Sequence, residues 1–386
     1  MLKLIRRFAI TVLVLYLALF GLTKAIRYPE PIAAIKLGLA PASKTPNLMP
    51  FHYIVAAPTT YAPWKNGNSE TVQNVKYDGK RITFDDFLKQ TSTNAFIIIR
   101  DGKITYESYL NGKTQSTILP SYSVAKTMTS LLIGQLISEG KLKESDSFVS
   151  ILPEFKAGTS FDKVTIKDLL DMNSGVGVSD NYPSGPSGWG VAIAQMYAST
   201  DVNWWLQQNR KMREEPGTFP EYRSVNTQML GMVIQKVTGR SLSDEFTERV
   251  WQRVGADYDA TWNVDHKGGH EKAFCCFNAT ARDYARIGVA LISDQSAKNK
   301  YAITNPAWLT RLSTPAVKLD YGWGYGAQMW HPYPGINLML GLHGQYIYQD
   351  KANKTVIVKL SDLPTSADGL APKIASVLKQ IAEKNY

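Results

Sequence analysis

Cysteine is nearly absent from this 386-residue chain: there are two, and they are neighbours, Cys275 and Cys276. This excludes a disulfide framework, and the pair lacks the spacing of a zinc site. A bond between adjacent cysteines strains the peptide joining them, so two buried thiols are expected. Histidine is scarce too, with five residues. His52 lies in a proline-rich stretch, and His266 and His270 flank Gly268 and Gly269, which oppose the continuous helix that an i, i+4 metal pair needs. No metal site is therefore expected, and no organic cofactor is implied. No serine stands in a Gly-x-Ser-x-Gly elbow, so that mark of a Ser-His-Asp hydrolase is missing. Internal repeats, low-complexity tracts and Lys/Arg runs interleaved with aromatics are lacking as well, which leaves solenoid, disordered and nucleic-acid-binding readings without support.

What is present is an ordinary globular composition, 44% hydrophobic and 20% charged. Half of the net charge of +10 sits at the start, because residues 1–27 carry five cations and no acid, leaving 38 cations against 33 acids in the rest. Within that segment Lys3, Arg6 and Arg7 precede an apolar run over 8–22. This is the charge order of an export signal or a signal anchor whose N-terminus stays in the cytoplasm. At about 1.5 Å per residue the run covers roughly 23 Å against a hydrocarbon core of about 30 Å, so residues 23–26 must join it with Lys24 snorkelling. No Ala-x-Ala cleavage site stands at the end of the run, where residues 20–24 read FGLTK. The preferred reading is an uncleaved inner-membrane anchor with the body in the periplasm or outside the cell; a cleaved signal would give an exported soluble form. Oligomeric state is not legible.

Residues 28–60 hold six prolines and little periodicity, which predicts an extended linker ahead of a folded domain over 61–386. Residues 94–109 form two β-rich runs around Asp101-Gly102, a hairpin signal. Residues 123–139 read as a largely apolar helix closed by Gly140. From 164 to about 291 helical patterns alternate with Gly/Pro/Ser loops. Strand character returns around 325–330, 346–348 and 355–360, before an amphipathic helix over 371–384. Strands early, helices in the middle and strands late predict an α/β (α+β) fold, one sheet built from both chain ends with a helical insert at about 140–290.

Ser-x-x-Lys occurs four times, at Ser123/Lys126, Ser138/Lys141, Ser160/Lys163 and Ser376/Lys379. Context separates the first, which follows a Pro120-Ser121-Tyr122 turn and opens an apolar helix. There the two side chains share a face, and helix N-terminal amides can stabilise negative charge. A serine hydroxyl needs an adjacent base, and a lysine serves when burial lowers its pKa.

Seven stretches then stand in order: 121–126 (SYSVAK), 152–155 (LPEF), 164–175 (VTIKDLLDMNSG), 216–219 (PGTF), 222–239 (YRSVNTQMLGMVIQKVTG), 278–288 (NATARDYARIG) and 341–345 (GLHGQ). Together they resemble the serine β-lactamase-like superfamily of class C β-lactamases, D,D-peptidases (penicillin-binding proteins), family VIII esterases and 6-aminohexanoate-dimer hydrolases. The resemblance covers roughly residues 96–362. It implies a β-lactamase/transpeptidase-like fold with an antiparallel sheet flanked by helices and an inserted all-helical domain. It also implies Ser123 as the acylated nucleophile, Lys126 as its base and Tyr222 as the proton-shuttling phenol. The third position of the Tyr-x-Asn element is Ser224, not asparagine. That departs from β-lactamases and is similar to the 6-aminohexanoate-dimer hydrolase branch, as are residues 277–280 (FNAT) and 344–347 (GQYI).

By the same resemblance the backbone amides of Ser123 and Gln345 form the oxyanion hole. Tyr182, in the Gly/Pro/Ser-rich loop 176–189, caps the site, and Ser224, Asn278, His343 and Gly344 line the substrate pocket. The expected function is hydrolysis of a small-molecule amide or ester through an acyl-enzyme. The alternatives are a cell-wall D,D-peptidase or penicillin-interacting protein, and an inactive relative that binds peptidoglycan or a partner.

Overall fold

Asp101-Gly102 forms the turn it predicts. In the computed structural model, which describes residues 1–57, 63–180, 192–293, 302–364 and 369–386, the two residues have φ of 49° and 72°. Positive φ at both positions is what a two-residue hairpin turn requires if its twist is to match the strands it joins. Those strands, Thr93–Arg100 and Lys103–Tyr109, pair antiparallel with Arg100 opposite Lys103. Side chains of Thr93–Arg100 divide by parity: Ala95, Ile97 and Ile99 enter one core, Phe96 and Ile98 the other. Alternation with both faces apolar demands cover on both sides of the sheet.

The C-terminal strand Thr355–Ser361 takes the other edge of Thr93–Arg100, so the two ends of the chain meet inside one sheet. In spatial order the nine strands are Val317–Lys318, Gly324–Gly326, Met329–His331, Ile336–Gly341, Gln345–Asp350, Thr355–Ser361, Thr93–Arg100, Lys103–Tyr109 and Lys65–Asn66. Neighbours are antiparallel except at the last, parallel, edge. Helix Ala281–Ile292 covers one face, and Phe84–Gln90 and Ala371–Ala382 the other. The mixed fold with its sheet drawn from both ends is thus the one expected. The 140–290 region is mainly helical but also contributes Ala260–Asn263 and Phe277–Ala279. With Phe51–Ile54 and Leu119–Pro120 these make a second, four-stranded sheet.

Two expectations fail. Residues 28–57 are not an extended linker: Pro31–Leu39 is a helix, Ala42–Asn47 a 3₁₀ turn, and Phe51–Ile54 a strand paired with Ala260–Asn263. The prolines misled because Pro31 occupies the first helical turn, where its fixed φ and missing N–H favour the helix; Glu30 caps that turn by accepting from Ile32 N and Ala33 N. Cys275 and Cys276 are buried as expected but are bonded to each other, with Cys276 at φ 70° turning the chain sharply.

The helix that carries Lys126, Ala125–Ser138, packs through Gly134 against the indole of Trp308, where an added Cβ would sit 2.3 Å from ring carbons. Gly134→Ala should therefore destabilise the fold by about 1–3 kcal/mol despite its better helix propensity. Urea unfolding checks this, and a stability gain would contradict it.

Candidate active site

Ser123 is presented by a sharp change of direction. Leu119–Pro120 runs beside Phe277–Ala279, and Ser121 N still donates to Phe277 O at 2.8 Å. Tyr122 then adopts φ 45°, and the 3₁₀ turn Tyr122–Val124 leads into the helix Ala125–Ser138. A left-handed tyrosine is strained by about 1–3 kcal/mol and persists only where its surroundings hold it. Here the ring lies 4.7 Å from the His343 imidazole, and the hydroxyl 3.5 Å from Thr45 Oγ1. The turn leaves Ser123 partly exposed at the helix start, while Lys126 is buried at 1% exposure.

Lys126 Nζ donates to Ser123 Oγ at 2.9 Å, Ser224 Oγ at 2.8 Å and Phe274 O at 3.0 Å. It also lies 4.9 Å from the centroid of the Tyr222 ring. The three protons of an ammonium thus find three acceptors. After one is lost, the neutral amine keeps Ser224 and Phe274 as acceptors and turns its lone pair to Ser123 Oγ, the orientation a general base needs. Burial lowers the Lys126 pKa to about 8, against the opposing pull of the Asp180 carboxylate.

Asp180 is the residue that sequence reasoning missed. Its carboxylate accepts from Ser224 N at 2.7 Å and from Ser224 Oγ at 2.5 Å. Ser224 has one hydroxyl proton, and committing it to Asp180 leaves its oxygen lone pairs to receive Lys126. Burial raises the Asp180 pKa, and Lys126 and the Ser224 donors pull it back. The only signal for it in the chain is its place two residues before Tyr182. Asp180→Asn should keep the shape but remove the charge that holds the Lys126 pKa up. The acid limb of kcat/KM is then expected at lower pH than in wild type, and titration between about pH 6 and 10 checks this. An unmoved limb would contradict it.

Tyr222 is fixed by aromatic packing, stacked on Trp330 at 5.3 Å and edge-on to Tyr325 at 5.9 Å. The next residue, Arg223, is buried and pairs with Glu214 and Glu221, each at 2.6 Å. Ser179 Oγ donates to Glu221 at 2.7 Å, which ties the segment around Ser179 and Asp180 to the Tyr-Arg-Ser segment. Opposite them, the strand end at Gly341 presses on the backbone around Ser123: an added Cβ there would lie 2.3 Å from Ser121 O and 3.2 Å from Ser123 N. Gly341 pairs with Gln345, whose side chain donates to His343 O at 3.0 Å and Ser361 O at 2.8 Å and accepts from Ser361 N at 3.1 Å. These bonds hold the Gln345 backbone rigid beside Ser123.

Ser123, Lys126, Tyr222 and Ser224 therefore come together, with Gln345 and His343 close by. Ser224, expected to contact substrate, is instead buried against Lys126 and Asp180. Asn278 does not reach the site. It is fully buried, with its amide donating to Thr261 Oγ1, Asn263 Oδ1 and Cys276 O, because its strand sits inside the smaller sheet. His343 Nδ1 donates to Leu363 O at 2.7 Å, and burial lowers its pKa, leaving a neutral ring with Nε2 free of the proton. Gly344 serves the turn itself: its φ is 80° and an added Cβ would meet Ser361 Cβ at 3.1 Å. Tyr182 lies outside the described residues. His270 bonds Asn203 and Gln235, and His52 bonds Glu271.

The beta-lactamase family profile matches residues 83–379. The 6-aminohexanoate-dimer hydrolase of Paenarthrobacter ureafaciens is 26% identical over 299 residues, 72% of this chain and 74% of that one. Among solved structures, a Bacillus anthracis protein provisionally named a 6-aminohexanoate-dimer hydrolase superposes with a TM-score of 0.78 at 24% identity, covering 92% of this chain and 95% of the other. An octameric penicillin-binding protein homologue from Pyrococcus abyssi gives 0.61 at 18% identity, over 77% and 76%. The structural likenesses establish the fold.

Proposed function

Because the chain belongs to the beta-lactamase family of serine hydrolases, we propose that it cleaves a small amide or ester through an acyl-enzyme on Ser123. The observation that carries this is the buried Lys126 amine, 2.9 Å from a partly exposed serine hydroxyl and held by two other acceptors. Neutral Lys126 takes the Ser123 proton as the oxygen attacks the carbonyl. The amides of Ser123 and Gln345 receive the oxyanion, each such donor being worth about 3 kcal/mol. Tyr222 passes a proton to the departing amine or alcohol, and water then releases the acyl group by the reverse sequence.

The Paenarthrobacter relative directs the substrate reading to short linear amides. Ser224 supports the same direction: in place of an asparagine amide that could reach a substrate, the chain has a hydroxyl already engaged by Asp180 and Lys126. We further read the helix Leu2–Ala25 as a retained membrane anchor. By length and composition it can cross a bilayer, and along it Thr23 is the one buried residue.

The test is a panel of 6-aminohexanoate dimer, short-chain p-nitrophenyl esters and D-alanyl-D-alanine peptides, given to wild type and Ser123→Ala. Turnover of the dimer or the esters by wild type alone is expected. Peptide turnover with stable labelling by fluorescent penicillin would transfer the assignment to a D,D-peptidase.

A further inference from the structure

The bend over 271–276 bonds to both helices that carry the site, Ala125–Ser138 and Ser224–Thr238, and to the smaller sheet. Glu271 O accepts from Gln228 Nε2 at 3.1 Å and Ala273 N donates to Gln228 Oε1 at 3.0 Å, on the helix that begins with Ser224. Ala273 O accepts from Thr129 Oγ1 and Phe274 O from Lys126 Nζ, each at 3.0 Å, on the other helix. The remaining carbonyls serve the smaller sheet. Lys272 O and Cys275 O accept from Trp262 Nε1 at 3.0 and 2.9 Å, and Cys276 O accepts from Asn263 N at 2.9 Å. Neighbouring carbonyls at Phe274 and Cys275 thus meet different partners, and the chain makes this turn with Cys276 left-handed at φ 70°. A non-glycine residue persists in that region only where its surroundings hold it. The Cys275–Cys276 bond is the covalent part of that hold, and the hydrolytic steps above make no use of it.

We propose that the Cys275–Cys276 bond is a positioning device for the general base, fixing the Phe274 carbonyl against Lys126, and that a dithiol reductant disables the enzyme by opening it. This rests on the reading of Lys126 as the base. In the reduction a thiolate of the dithiol attacks one sulfur, and the other leaves and takes a proton. The second thiol of the reductant then displaces the first protein sulfur. Two electrons pass to the protein, which keeps two thiols, and the dithiol ends as its own disulfide. Cys276 is then free to return to negative φ, which turns the Cys275–Cys276 peptide and draws the Phe274 carbonyl off Lys126. The ammonium loses one of its three acceptors, so its charged form is disfavoured and it titrates at lower pH. The neutral amine, left with Ser224 as its one other acceptor, no longer aims its lone pair at Ser123. Oxidising surroundings beyond the cytoplasmic membrane, where the anchor reading puts the body, keep the bond closed, and cytoplasmic dithiols keep it open. The base is thereby completed on export.

The experiment uses full-length protein in detergent, first oxidised, then reduced with dithiothreitol that is removed without air, then reoxidised. The chain has two cysteines, so maleimide uptake read by intact mass reports this bond and no other. Reduced protein should take up maleimide at both. Its kcat/KM for a p-nitrophenyl ester should fall about tenfold above the acid limb, and the limb should move down by about one pH unit, both reversing on reoxidation. The double variant Cys275→Ala, Cys276→Ala should show the shifted limb without any reductant and be indifferent to dithiothreitol. A loosened fold alone would lower the rate and leave the limb where it was, and that result overturns the proposal. So does a lack of maleimide uptake by native protein, or uptake with kcat/KM and limb unchanged. Oxidised protein with a limb near pH 8 that ignores reduction sinks this inference alone; oxidised protein that turns over no ester sinks the hydrolase reading and the inference with it.

Discussion

Ser123→Ala is expected to abolish labelling by a fluorophosphonate and to lower kcat by about 10⁴- to 10⁶-fold, the range seen when a serine hydrolase loses its nucleophile. The oxygen removed is the one partly exposed atom to which the buried Lys126 amine points. Deleting it leaves the proposed oxyanion donors, the Ser123 and Gln345 amides, and Tyr222 in place, so residual activity should reflect slow direct attack by water. Stability should barely change, because Lys126 retains Ser224 and Phe274 as acceptors. A Tm within a few degrees of wild type, together with the lost turnover, separates a missing nucleophile from a damaged fold.

Lys126→Met is the second large effect, with a loss of about 10³- to 10⁴-fold in kcat/KM, since an unassisted serine hydroxyl is a poor nucleophile at neutral pH. Methionine fills nearly the same volume. It removes a buried amine whose charged form burial disfavours, and it leaves the Phe274 carbonyl short of a donor, at a cost of about 1–3 kcal/mol. These changes oppose each other, so stability should move little. The pH profile gives the sharper reading. Lys126 is a base with its pKa lowered to about 8, so its reactive neutral form is scarce below that pH and predominates above it. Wild-type kcat/KM should rise through pH 8, and the residual rate of Lys126→Met should lack that limb. A limb of the same position in the variant would assign the titration to another group.

The parts of the site that could be read from the sequence are those encoded by local spacing. Ser123 and Lys126 are three residues apart at the start of a helix, so their contact follows from helix geometry once that helix is recognised. Asp101-Gly102 announces its hairpin for the same local reason. Asp180 lay beyond this kind of reasoning because its meaning comes from Ser224, forty-four positions away, and a carboxylate in an irregular loop carries no periodicity. Asn278 shows the opposite error: it lies in a stretch that resembles relatives' site residues, yet its side chain turns into the smaller sheet. The proline-rich segment after the apolar helix reads as a linker in the sequence because composition does not distinguish a proline that starts a helix from one that prevents it.

The most direct test of the account is rapid acid quenching of wild-type protein reacting with a slowly deacylating ester, followed by intact-mass and peptide analysis at several pH values. One acyl group, located on Ser123, is expected, appearing in a burst whose rate rises as Lys126 loses its proton near pH 8. Steady hydrolysis without any adduct, or an adduct on another residue, would contradict it.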